Sequence, residues 1–175
     1  MTNRSFSPAS QASSAQPSVS QSNTSEDPYV WFEYPVRVQP HHTDYGGVVW
    51  HGTYITWMES ARVECLRAVG YPFERLVTLG YDLPVVALDM RYRQPLTLGM
   101  AALVKVRLMP IKGIRLKWCY EIVTAGENPQ LCVTGWVTLV TVDARDRKVV
   151  RRLPSEVKSL IREIETYFDL AGESP

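Results

Sequence analysis

The three histidines of the chain all fall between His41 and His51, and Asp44 lies among them. The stretch reads His41-His42-Thr43-Asp44-Tyr45-Gly46-Gly47-Val48-Val49-Trp50-His51-Gly52-Thr53-Tyr54. Two adjacent glycines let a backbone turn tightly and come close to a ligand. An apolar helical pattern follows at once, and a helix start carries about four backbone N–H groups without intrahelical acceptors. Such groups attract an anion or a polarised carbonyl oxygen. A carboxylate facing them would hold the parts of an acyl-transfer site: a nucleophile or base, and a place for an oxyanion. The same residues have plainer uses. Asp before Gly commonly closes a turn, and a histidine at a helix start often caps it or faces solvent. Imidazole and carboxylate also suit zinc or iron. The spacing matches no H-E-x-x-H ligand pattern, however, and a strand would send His41 and His42 to opposite faces. No metal is expected.

Regular elements on both sides must hold this stretch in place. Val30, Phe32, Tyr34, Val36 and Val38 alternate with more polar positions, the period of a half-buried strand. Tyr54, Met58, Ala61, Cys65 and Ala68 step by 4, 3, 4 and 3, which predicts a helix over 54–69 with Thr53 as N-cap and Gly70 and Pro72 as its stop. Cys65 belongs to the apolar face of that helix and reads as core. Strands are then expected at Val85–Tyr92, around Val104–Leu108, over Ile114–Ile122 and over Leu131–Val142, the last two joined by a turn at 125–130. The final strand is apolar or Thr almost throughout, so both its faces should be covered. A basic connector, Arg145 to Arg152, leads to an amphipathic helix marked by Val157, Leu160, Ile161, Ile164 and Phe168, with Ser155 as its cap. The expected class is α+β: about five antiparallel strands against one long helix, plus a C-terminal helix. The uncovered sheet face calls for a second copy of the chain.

Composition narrows the function. With 175 residues, 45% apolar and 21% charged, the chain holds one ordinary domain and is not disordered throughout. A net charge of +1 argues against a dedicated nucleic-acid binder. Three cysteines without C-x-x-C spacing suit a reducing compartment, so a cytoplasmic protein is expected. No apolar run reaches the roughly 20 residues of a membrane span. Residues 1–28 hold nine Ser and no periodic pattern, which reads as a flexible tail before a domain over 29–170.

The motif Asp44-x-x-Gly47-Val48-Val49-x-His51-x-x-Tyr54, with Met58-Glu59-x-Ala61-Arg62 after it, resembles the hotdog-fold acyl-CoA thioesterases. The similarity is to the 4-hydroxybenzoyl-CoA thioesterase branch, which includes the Tol-Pal-associated thioesterases, and it runs from about Tyr34 to Pro154. It implies a hotdog fold and hydrolysis of an acyl-CoA, with coenzyme A part of the substrate and no cofactor. It implies that Asp44 is the nucleophile or general base and that the backbone N–H of His51 polarises the thioester carbonyl. Gly47 would supply the turn that brings backbone near the acyl group. A related branch takes its carboxylate from a Glu two turns into the helix. Glu59 occupies that place here, and it ranks below Asp44 as an acyl-pocket residue. Sites formed between subunits in the family imply a homo-oligomer, dimer or tetramer.

Trp50, Tyr54 and Trp57 near the motif suit a short or aromatic acyl group. Two competing readings stand beside this one. An acyl-carrier protein could replace coenzyme A and dock on Arg91, Arg93 and Arg115. Alternatively, the domain could bind an acyl or aromatic ligand without turnover, a reading that the presence of Asp44 weakens.

Overall fold

A computed structural model describes residues 30–111 and 113–168 of the chain; the expected tail over residues 1–28 lies outside them. In chain order the elements are β1 (Phe32–Arg37), α1 (His51–Ala68), α2 (Phe73–Thr78), β2 (Tyr81–Asp82), β3 (Val85–Tyr92), β4 (Ala101–Leu108), β5 (Arg115–Thr124), β6 (Leu131–Val140), β7 (Val142–Asp143) and α3 (Ser155–Tyr167). Five of them form one antiparallel sheet in the order β1-β4-β5-β6-β3. The period-2 pattern dictates which face meets the helix. Val104, Val106 and Leu108 on β4, and Leu116, Trp118, Tyr120 and Ile122 on β5, are buried on one face. Register places Val104 opposite Ile122 and Val106 opposite Tyr120, so these apolar rows stack side by side.

The long helix α1 lies on that face and buries Tyr54, Trp57, Met58, Ala61, Cys65 and Leu66 against it. Each large apolar side chain so buried contributes about 1.5–3 kcal/mol. Gly135 on β6 sets how close the helix can come: a β-carbon there would stand 3.0 Å from Met58 Cε. Arg62 is buried with the apolar residues. Arg62 donates to Tyr120 Oη at 3.2 Å and pairs with Glu59. Burial pushes the Tyr120 phenol well above its ordinary pKa, with Arg62 acting in the opposite direction. α3 buries Val157, Leu160, Ile161 and Ile164, and Tyr71 Oη donates to the Glu156 carbonyl at 3.1 Å.

The structure differs from the sequence reading in several places. α1 begins at His51, three residues before Tyr54, with Trp50 at its N-cap. The Thr53 hydroxyl donates to the His42 carbonyl at 3.1 Å, which ties the helix to the preceding loop, and does not cap the helix. Similarly, Ser155 is the first residue of α3 and Pro154 its N-cap, since proline suits a helix start. The last long strand ends at Val140, and the chain then leaves the sheet to pair β7 with β2. These two-residue strands and the six-residue α2 are too short to leave a periodic trace. Finally, β6 is not covered on both faces along its length. Cys132 and Val140 are buried on the outer face, but Thr134, Trp136 and Thr138 between them are half-exposed.

Candidate active site

The loop between β1 and α1 is a tight hairpin mounted on the helix start. Thr43 bridges to Val49, and Asp44 N–H donates to the Val48 carbonyl at 2.9 Å. Gly47 N–H closes the turn onto the Asp44 carbonyl at 3.0 Å, and Gly47 has φ of 76°, a conformation that favours glycine. At its far side the hairpin is fixed to the chain after β3: Val48 bridges to Thr97, and Val49 N–H donates to the Leu96 carbonyl at 2.8 Å. At its base, Trp50 N–H and the Thr53 hydroxyl both donate to the carbonyl of His42, at 2.9 and 3.1 Å. Asp44 Oδ1 accepts the Gly46 N–H at 2.8 Å, the turn-closing role that Asp before Gly commonly plays. The hydrogen bonds of the described residues leave Oδ2 free, and Asp44 is exposed. One carboxylate oxygen is therefore anchored and the other is open.

Asp44, His51 and Tyr54 meet around a cleft of about 350 Å³, whose other wall is Tyr92, Arg93, Gln94 and Pro95. Thr53 N–H is taken by the Trp50 carbonyl at 2.9 Å, so the His51 amide stands among the open donors of the helix start. The Tyr54 ring lies edge-on to Tyr92 at 5.7 Å and to Trp57 at 5.6 Å. Its hydroxyl accepts the Leu96 N–H at 3.4 Å, and burial raises its pKa, keeping it a neutral phenol. The wall at Tyr92–Pro95 lies some fifty residues from the motif, and no local spacing pointed to it. In the sequence Arg93 stands out only as a docking residue. Arg91 precedes it on β3, whereas Arg115 lines a separate hollow with Lys117 and Thr138.

The remaining candidates fall elsewhere. Gly47 forms the turn behind Asp44. Glu59 pairs with Arg62 and is not among the residues that line the Asp44 cleft. Trp50 lies on the opposite flank of α1, in a second cleft of about 570 Å³ shared with His41, His42 and Trp57. His41 and His42 do not point to opposite faces. They sit on one 3₁₀ turn, Pro40–His42, with ring centroids 4.1 Å apart.

A five-stranded antiparallel sheet wrapped on one long helix is the architecture of the hotdog-fold thioesterases. A family model for the thioesterase-like superfamily matches residues 38–161, and the chain belongs to that family and is an enzyme of thioester hydrolysis. It is 56% identical over 128 residues to the putative esterase sll0410 of Synechocystis sp., covering 73% of this chain and 76% of that one. It is 32% identical to the acyl-CoA thioester hydrolase YbgC of Escherichia coli O6:H1, covering 77% of this chain and 96% of that one. Among solved structures, Slr0204, a 1,4-dihydroxy-2-naphthoyl-CoA thioesterase from Synechocystis, superposes with a TM-score of 0.68 at 24% identity, covering 77% of this chain and 98% of that one. Among the described residues no helix is long and apolar enough to cross a membrane.

Proposed function

We propose that the protein hydrolyses a short-chain or aromatic acyl-CoA to the free acid and coenzyme A, with Asp44 as general base or nucleophile. The observation that carries this reading is the meeting of an open carboxylate oxygen, the His51 end of α1 and two tyrosine rings in one cleft. As base, Asp44 takes a proton from water while the water oxygen attacks the thioester carbonyl. The carbonyl oxygen becomes an oxyanion held by the His51 N–H, and collapse expels the coenzyme A thiolate. Water and a carboxylate suffice, so no cofactor is required. Tyr54 and Tyr92, whose rings meet edge-on at 5.7 Å in the cleft lining, offer aromatic surface that suits a flat or short acyl group.

The site is completed by a second copy of the chain. β3 ends the sheet beside the cleft and is exposed along nearly all its length. Tyr92 and Arg93 lie at its end, so a partner strand paired there would border the acyl group. The three free cysteines support a reducing, cytoplasmic setting. The test is thiol release from a panel of short, long and aromatic acyl-CoAs, with acyl-carrier-protein thioesters beside them. Turnover is expected for short or aromatic acyl-CoAs. Preference for the carrier protein would transfer the function to that substrate, and binding without thiol release would leave a ligand-binding domain.

A further inference from the structure

The larger cleft on the far flank of α1 is walled by Tyr34, Arg37, His41, His42, Trp50 and Trp57 among others. It lies outside the Asp44 cleft, with which it shares no lining residue. Its most distinctive feature is Trp50. The six-membered part of the indole lies directly over Gly52, where any β-carbon would overlap the ring. The helix backbone thus seats one face of the indole, and the side chain remains 50% exposed. A large aromatic surface held rigidly and left open is a stacking platform formed before any ligand arrives. The groups around it are positive or proton-donating. Arg37 spends one Nη1 hydrogen on the Gly99 carbonyl at 3.0 Å and keeps the rest of its guanidinium fork. His42 Nδ1 accepts the Gln39 N–H at 3.0 Å, so the proton of its neutral ring sits on Nε2 as a donor. His41 adds a second imidazole 4.1 Å away. No Asp or Glu is among the residues that line the cleft.

We infer that this cleft binds a flat aromatic or heteroaromatic ring that carries negative charge, the ring stacked on Trp50 and the anion against Arg37 and the histidines. Two ligands share this chemistry: the adenine nucleotide end of coenzyme A, and a free aromatic acid. Binding here requires no catalytic role for Asp44, so the test is separable from the thioesterase reading.

The experiment is calorimetric titration of the full chain with adenosine 3′,5′-bisphosphate in one arm and 4-hydroxybenzoate in the other. It is run on the wild type, Trp50→Ala, Arg37→Glu and Asp44→Asn. At least one probe is expected to bind the wild type and Asp44→Asn equally, and to bind Trp50→Ala and Arg37→Glu about tenfold more weakly or worse. The arm that responds names the source, nucleotide or acid. No binding of either probe overturns the proposal. So does binding that Trp50→Ala and Arg37→Glu leave unchanged, or binding that Asp44→Asn abolishes. Should Trp50→Ala lose its fold, Gly52→Ala keeps the indole but displaces it from its seat, and is expected to weaken the same probe.

Discussion

The sheet has two edges, one on each flank of α1, and they are built differently. β1 buries Phe32, keeps Glu33 and Tyr34 half-buried, pairs Glu33 with Lys105 at 3.7 Å, and carries Pro35 in its middle. A proline cannot donate to a neighbouring strand, so this edge resists further pairing. β3 reads Val85-Val86-Ala87-Leu88, with no proline, and Val86 and Leu88 are 51% and 43% exposed. Monomers rarely leave such a strand unpaired. The clefts follow the edges. The Asp44 cleft opens beside β3, the edge open to pairing, and the Trp50 cleft opens beside β1, the blunted one. On the readings proposed above, chemistry that depends on assembly would fall on the β3 flank, and binding that a single chain can perform on the β1 flank.

The strongest way to break this contrast is Asp44→Asn. The amide is nearly isosteric and still accepts the Gly46 N–H, so the hairpin should persist. It is neither a useful base nor a nucleophile. Thiol release is expected to fall by about 10²–10⁴, or ~3–5 kcal/mol, with an unchanged melting temperature. Activity above about a tenth of wild type would remove Asp44 from the chemistry.

Next in size is the double variant Val86→Lys/Leu88→Lys. Two charges on an apolar edge should prevent strand pairing without touching the sheet interior, because both residues are already exposed. Light scattering is expected to shift toward the 19.9 kDa single chain, with kcat/KM down about tenfold or more. An assembled and fully active β3 variant would dissolve the contrast.

The sequence made the Asp44 half of this contrast visible and hid the Trp50 half. The Asp44-to-Tyr54 motif is local, so its acid, turn glycine and helix start are all read from neighbouring residues. The five strands and the long helix were legible because burial on one face enforces period 2 or period 3.6. The cleft wall at Tyr92–Pro95 was not legible, since the Val48–Thr97 bridge and the Val49–Leu96 hydrogen bond bring it to the loop from some fifty residues away. Its position between Asp44 and Tyr54 in sequence points Trp50 to the acyl site. The turn into α1 sends it to the opposite flank, where it lines the second cleft with its ring over Gly52.

A smaller effect is expected at His42, which joins the two flanks. Its ring lines the Trp50 cleft, while its carbonyl holds Trp50 N–H and Thr53 Oγ1 at the base of the Asp44 hairpin. Burial first, and the neighbouring His41 second, lower its pKa from the ordinary 6.5, while the Arg37 backbone acts the other way. A proton on Nδ1 would face the Gln39 N–H that this nitrogen now accepts. With a depressed folded pKa, the unfolded chain binds the proton first, so the support is complete above about pH 6.5 and is lost as pH falls below it. The wild-type kcat should therefore decline on the acid side of pH 6.5, as the folded His42 takes up its proton. Asn at position 42 offers an amide oxygen to Gln39 without titrating. His42→Asn is expected to keep kcat at neutral pH and flatten the acid limb, while His42→Ala loses about tenfold in kcat. An identical acid limb in His42→Asn would assign it to another group.

The smallest effect is expected at Glu59, the alternative carboxylate. Its side chain is 55% exposed, whereas that of its partner Arg62 is only 7% exposed and also donates to Tyr120 Oη. Glu59 therefore serves the buried guanidinium between α1 and β5 rather than the cleft beside β3. Glu59→Gln keeps an oxygen for the Arg62 hydrogen bond and removes only a half-solvated charge, which water and salt already screen. Stability should fall by no more than about 1 kcal/mol, and kcat/KM should stay within about threefold of wild type. The double variant with Asp44→Asn should then be no slower than Asp44→Asn alone. A loss of 10²-fold or more in kcat from Glu59→Gln, with an unchanged melting temperature, would move the chemistry two turns down α1 and leave Asp44 with only its turn.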